Sequence, residues 1–159
     1  MSMWVETVER VIPAPPESIF AIIADPKRHK DIDGSGTVRD ATDLPDTLTL
    51  GSTFGMNMEF GGAYSMVNTV IEFEPNRRIA WQARPPRTHG GIWRQLFGGR
   101  IWRYELEPTD GGTRVRESWD ITQERNKWIV RPYRGKTRKN MAATLERIEQ
   151  IVTRDTPAP

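Results

Sequence analysis

The segment from Arg100 to Thr122, RIWRYELEPTDGGTRVRESWDIT, restricts the fold more than any other part of the chain. Two runs of alternating apolar and polar residues flank TDGG, the pattern of an antiparallel hairpin with one buried face. Charge decides the register. With Leu106 opposite Val115, Glu107 meets Arg114 and Glu105 meets Arg116, and each opposed pair of this kind contributes about 0.2–1 kcal/mol. A slip of two residues sets Arg103 against Arg116, and a slip of one turns the apolar set to solvent. The favoured register predicts that the other face pairs Trp102 with Trp119 and Tyr104 with Glu117. It places a carboxylate among tryptophans, with a phenol beside it.

The rest of the chain supplies elements for such a hairpin to join. WVETVERVI reads as a strand that stops at Pro13. In APPESIFAIIADP, prolines open a short helix whose apolar face is Ile19, Phe20, Ile22 and Ile23, and Pro26 closes it. KRHKDI adds a second helical turn. Strands follow at about Thr37–Thr42, Ser52–Phe60, Ala63–Glu74 and Arg78–Arg84, then the hairpin strands at about Arg100–Pro108 and Thr113–Thr122. QERNKWIVRPYRG is read as a connection, after which RKNMAATLERIEQIVT places Met141, Leu145, Ile148 and Val152 on one helical face. The expected organisation is one domain over residues 1–153, with 154–159 as a disordered tail.

Composition narrows the chemistry. With no Cys among 159 residues, disulfides, thiolate nucleophiles and cysteine-ligated metals are all excluded. His29 and His89 lie far apart, show no metal-ligand spacing and are both assigned to the surface. Gly34-Ser-Gly36 lacks the third glycine of a dinucleotide fingerprint, so neither a metal nor a cofactor is expected. No apolar run approaches the roughly 18 residues of a membrane span, and the amino terminus lacks a secretory pattern. A cytoplasmic location is the expectation.

The inward set extends beyond the hairpin. Across EPNRR, Phe73 is expected opposite Ile79 and Ile71 opposite Trp81, while Phe54, Met56 and Met58 alternate along their own strand. In an antiparallel meander successive loops alternate between the two ends of the sheet, so the tight turns EPNRR and TDGG share one end. The long segments gather at the other, where Arg87, Trp93, Arg94, Phe97, Trp128 and Arg131 form an expected cavity mouth. The net charge is only +2, yet no acid occurs from Pro75 to Arg103 or from Arg125 to Lys139. A mouth both cationic and apolar favours a ligand with an apolar body and an anionic end. RNA or an anionic membrane is the alternative use of such loops; no nucleic-acid motif accompanies them, so nucleic acid is not expected as a partner.

VERVIPAPPESIFAIIADPKRH, EPNRRIAW, GGTRVRESWDI and NMAATLERIEQIV together resemble the SRPBCC superfamily, which includes START lipid-transfer domains and polyketide cyclases. The resemblance covers nearly the whole chain. It implies an α+β helix-grip fold: a curved seven-stranded antiparallel sheet wrapped around a long C-terminal helix, with two short helices after the first strand and an internal cavity. It further implies a hydrophobic small-molecule ligand, lipid-like or polyaromatic, held against Phe54, Met56, Met58, Ile71, Trp81, Trp102, Tyr104, Glu117, Trp119, Met141 and Leu145. The alternative is a polyketide aromatase/cyclase or dehydratase in which Glu117 and Tyr104 transfer protons. Transient membrane contact stays open, as does the choice between monomer and homodimer.

Overall fold

A computed structural model describes residues 2–36, 38–42, 44–59, 63–86 and 96–154. Strand β1 (Val5–Ile12) leads through Pro13 into helix α1 (Pro16–Ile23), which carries Pro in its first turn and buries Ile19, Phe20, Ile22 and Ile23. Asp25 caps a 3₁₀ turn (Pro26–Arg28) by accepting from the Lys27 N–H at 3.0 Å, and helix α2 (His29–Ile32) follows. Six strands come next: β2 (Val38–Thr42), β3 (Thr53–Glu59), β4 (Ala63–Glu74), β5 (Arg78–Arg84), β6 (Ile101–Thr109) and β7 (Gly112–Asp120). Helix α3 (Lys127–Val130), a 3₁₀ turn (Arg131–Tyr133) and helix α4 (Arg134–Arg154) complete the order. The seven strands form one antiparallel sheet in the order β1-β7-β6-β5-β4-β3-β2, so the first strand closes onto the last.

The β6–β7 register is the one charge selected: Leu106 opposes Val115, Tyr104 opposes Glu117 and Trp102 opposes Trp119. The ion pairs, however, continue across the outer face beyond the hairpin. Glu9, Arg116, Glu105, Arg78 and Glu74 succeed one another across five neighbouring strands, with Arg116 bonding Glu9 at 2.7 Å and Arg78 bonding Glu105 at 2.7 Å. In the next row Arg103 reaches over fully buried Ala80 to Glu72 at 2.6 Å and to Asp120 at 3.5 Å. This hydrogen-bonded guanidinium holds the Glu72 carboxyl below its ordinary range, burial opposing it.

One expected pairing is corrected. Phe73 does oppose Ile79, but the register shifts between Val70 and Glu72, and Val70 rather than Ile71 lies opposite Trp81. Ile71 is the extra residue of a β-bulge, which reverses the alternation upstream and turns Val70, Asn68 and Met66 to the concave side.

Helix α4 lies along β1. Its face of Met141, Leu145, Ile148 and Val152 is buried as its periodicity required, while Glu6 bonds Arg138 at 2.7 Å and Arg10 bonds Glu149 at 2.6 Å along one flank. The helix begins at Arg134, earlier than the periodic face indicated, and the connection before it is itself helical. Pro132 has no amide hydrogen to continue a long helix inward from α3, so it sits in the 3₁₀ turn between them. At its carboxyl end α4 runs to Arg154, and the rest of the expected tail, 155–159, lies outside the described residues. The loop after α2 is docked on the same helix: the Gly34 N–H donates to Thr144 Oγ1 at 2.9 Å, and Arg147 donates to the Asp33 carbonyl.

Two apolar clusters result. The larger joins α1 and the sheet to Leu145, Ile148 and Val152; the smaller contains Trp119, Ile121, Val130 and Met141, with Phe97 and Trp4 packed against it. Along β7, Val115 belongs to the first and Trp119 to the second. Glu117 stands between them.

Candidate functional site

The concave face carries a run of aromatic rings that ends at a carboxyl group. Phe54 on β3 meets Trp81 on β5 edge-on, with centroids 5.7 Å apart, and Trp81 lies 5.6 Å from Tyr104 on β6. The Tyr104 hydroxyl donates to Glu117 Oε1 at 2.8 Å. Cross-strand pairing brings these side chains together, since Trp81 faces Trp102 and Tyr104 faces Glu117 in adjacent ladders. Glu117 is 3% exposed, and burial is the main cause that pushes its carboxyl up to about 8; the Tyr104 hydrogen bond pulls the other way, and the charge of Asp33 adds to the rise. The Tyr104 hydroxyl is driven well above its ordinary range, first by burial and then by the neighbouring carboxyl.

His29 is the residue that sequence reasoning misplaced. It is buried rather than on the surface, stacked on Trp81 at 4.9 Å and edge-on to Phe54 at 5.4 Å. Helix α2 folds back over the sheet and carries the imidazole inside; apolar Ile32, three residues on and on the same face, was the available sign that this turn has an inner side. Nε2 lies 2.7 Å from the Ile23 carbonyl, which can only accept, so this nitrogen carries the proton and Nδ1 is a lone pair in the neutral ring. Burial favours that neutral form by holding the imidazole below its usual range. Among the described residues, neither His29 Nδ1 nor Glu117 Oε2 has a hydrogen-bond partner. Because Oε1 already accepts from Tyr104, a neutral Glu117 presents its proton at Oε2. The concave face thus offers one buried acceptor and one buried donor.

A family model described as polyketide cyclase/dehydrase and lipid transport matches residues 3–153. The chain belongs to this family. An uncharacterised protein of Mycobacterium tuberculosis is 39% identical over 111 residues, 69% of this chain and 44% of that protein, so the match spans less than half of the relative's length. Among solved structures, a protein from Arthrobacter aurescens superposes with a TM-score of 0.73 at 16% identity, over 99% of this chain and 91% of the other. One from Mesorhizobium loti gives 0.69 at 19% identity, over 96% and 99%. At such identities the likeness concerns the helix-grip fold, which the SRPBCC superfamily shares.

Within this family member, Phe54, Met56, Trp81, Tyr104, Glu117, Trp119, Met141 and Leu145 are buried, and Met58 and Trp102 are half-buried against the larger cluster. The concave set lacks Ile71 and gains Val70, Asn68 and His29. Of the expected mouth, Arg87, Trp93 and Arg94 lie outside the described residues. Phe97 packs inward on the smaller cluster, whereas Trp128 projects into solvent and Arg131 lies over Trp4, 5.8 Å from its ring centre. Among the described residues of the basic run between Pro75 and Tyr104, acids pair four arginines: Arg77 with Glu74, Arg100 with Glu124, and Arg78 and Arg103 with Glu72. An open groove of about 300 Å³ at the tight-turn end is lined by Glu74, Arg77, Arg78 and Glu105, whose charges satisfy one another. Among the described residues no cluster of acids or histidines could hold a metal ion, and no helix is long and apolar enough to cross a membrane.

Proposed function

We propose that the protein binds and carries a hydrophobic small molecule, lipid-like or polyaromatic, against the aromatic concave face, with an uncharged polar group of the ligand set between His29 and Glu117. The observation that carries this reading is the presence of two unpartnered buried polar atoms, His29 Nδ1 and Glu117 Oε2, on a wall of packed rings. A buried polar atom without a partner costs about 1–3 kcal/mol, and a hydroxyl meeting the histidine or a carbonyl meeting the carboxyl proton removes that cost. Family membership supports the apolar body of the ligand. Native mass spectrometry of freshly purified protein is expected to reveal a co-purifying apolar compound. Replacing half-buried Trp102 by Ala should weaken its binding at least tenfold, whereas Arg114→Ala, on the outer face, should leave it unchanged; equal losses at both positions would remove the concave face from consideration.

The same dyad favours a second reading, acid–base catalysis of a cyclisation or dehydration. A carboxyl that titrates near neutrality and is held at 2.8 Å by a phenol can give and take a proton at working pH. Glu117→Gln keeps the shape and removes the proton exchange. Turnover of a polyketide-like substrate that vanishes in this variant while binding persists would establish the enzyme; unchanged turnover would dismiss it.

A further inference from the structure

The second basic run behaves differently from the first. From Arg125 to Lys139 there are seven cationic residues and no acid. Glu6 answers two of them, Arg134 and Arg138. Lys127 and Arg131 instead lie over the ring of Trp4, with Lys127 Nζ 4.7 Å from its centre. Large apolar side chains protrude at the same corner: Trp128 is 66% exposed and Ile129 56%, and Tyr133 and Met3 are exposed beside them. Contacts hold Trp128, Met3 and Leu96 at this corner. Trp128 meets Trp4 edge-on at 4.7 Å, Arg131 Nε donates to the Met3 carbonyl at 3.3 Å, and Asn126 donates to the carbonyl of exposed Leu96.

Helix α3 is too short to stand alone, so its exposed Trp-Ile pair is held in place by Trp4 beneath it. A fixed apolar tip is costly in water unless something covers it, because removing large apolar side chains from water is favourable. Cations flank the tip, and each Lys or Arg near an anionic bilayer adds to the attraction, while indole and phenol rings settle at the headgroup level. We propose that the corner formed by Met3, Trp128, Ile129 and Tyr133 docks on an anionic phospholipid surface, with Lys127 and Arg131 against the headgroups. A bilayer satisfies the cations and the apolar tip together, whereas a nucleic acid would satisfy chiefly the charge. The proposal does not depend on which ligand the concave face takes.

Co-sedimentation with phosphatidylcholine vesicles, with and without phosphatidylglycerol, tests it on the full chain. Binding is expected only with phosphatidylglycerol present, weakening as salt rises. Trp128→Ala combined with Ile129→Ala should lower that binding at least tenfold, and Lys127→Ala should lower it several-fold. Arg114→Ala, on the outer face of the sheet, should leave it unchanged. These substituted side chains are solvent-exposed or lie at the surface, and unchanged circular dichroism shows that the variants fold. Absence of binding to phosphatidylglycerol vesicles at low salt would overturn the proposal. So would binding indifferent to the Trp128/Ile129 pair, tighter binding to RNA than to vesicles, or a dimer in sedimentation equilibrium that these substitutions dissociate. Because none of these readouts involves the concave face, their failure is distinguishable from failure of ligand binding.

Discussion

Replacing Glu117 by Gln is expected to flatten the dependence of stability on pH. The Glu117 carboxyl is raised from 4.5 to about 8, chiefly by burial, so between those values the folded chain holds a proton that the unfolded chain has released. For an acid raised in this way, stability falls as pH climbs through the interval, and below it the residue has no effect. The gap corresponds to several kcal/mol at about 1.4 kcal/mol per pH unit, a large fraction of the 5–15 kcal/mol typical of a whole domain. His29 acts at the acid side in the opposite sense: its pKa is lowered from 6.5 by burial, so stability is lost as pH falls below that value and the unfolded imidazole takes up a proton. Urea unfolding at a series of pH values should show the wild-type chain weakening from about pH 5 to about pH 9 by several kcal/mol, and the Gln variant changing little over the alkaline half. Parallel curves for the two proteins would mean that Glu117 ionises at an ordinary pH. Ligand binding should weaken over the same alkaline interval, because the ionised carboxylate no longer offers a proton at Oε2 and adds a negative charge to the apolar wall.

Gly34→Ala is expected to cost about 3 kcal/mol or more and to lower Tm by about 6–12 °C. A Cβ at this position would stand 2.1 Å from the Asn140 carbonyl oxygen and 2.7 Å from the Thr144 nitrogen, both backbone atoms of α4 that no rotamer change can move. The loop would have to lift, losing the Gly34 to Thr144 bond and the contact of Arg147 with Asp33. Since α2 directly precedes this loop, His29 should loosen as well, and its imidazole should titrate closer to 6.5. Gly135→Ala, in the first turn of the same helix where a Cβ meets nothing within 4 Å, is the control and should be neutral or stabilising. Thermal unfolding of the two variants, with NMR titration of His29, decides the matter; equal Tm values would show that the loop yields freely.

How much of this site was legible without coordinates follows the range of the forces involved. The β6–β7 register, and with it the Tyr104–Glu117 contact, could be read directly, because nearest-neighbour charges and a period of two act within a single hairpin. The buried face of α4 was readable for the same reason, as its period of 3.6 needs only one partner surface of any kind. The resemblance in four separate motifs led correctly to the family and the helix-grip fold. Tertiary structure decided the rest. The bulge that exchanges Ile71 for Val70 is a single unpaired residue that leaves no mark on an alternating pattern. His29 is buried because α2, too short to show a period, packs across Phe54 and Trp81 from strands distant in the chain. The two basic runs look alike in one dimension, and only the packed fold brings Glu72 and Glu105 beside the first, and Glu6 and the ring of Trp4 beside the second. Charge is counted along a chain, but it is compensated across space, where the fold chooses the neighbours.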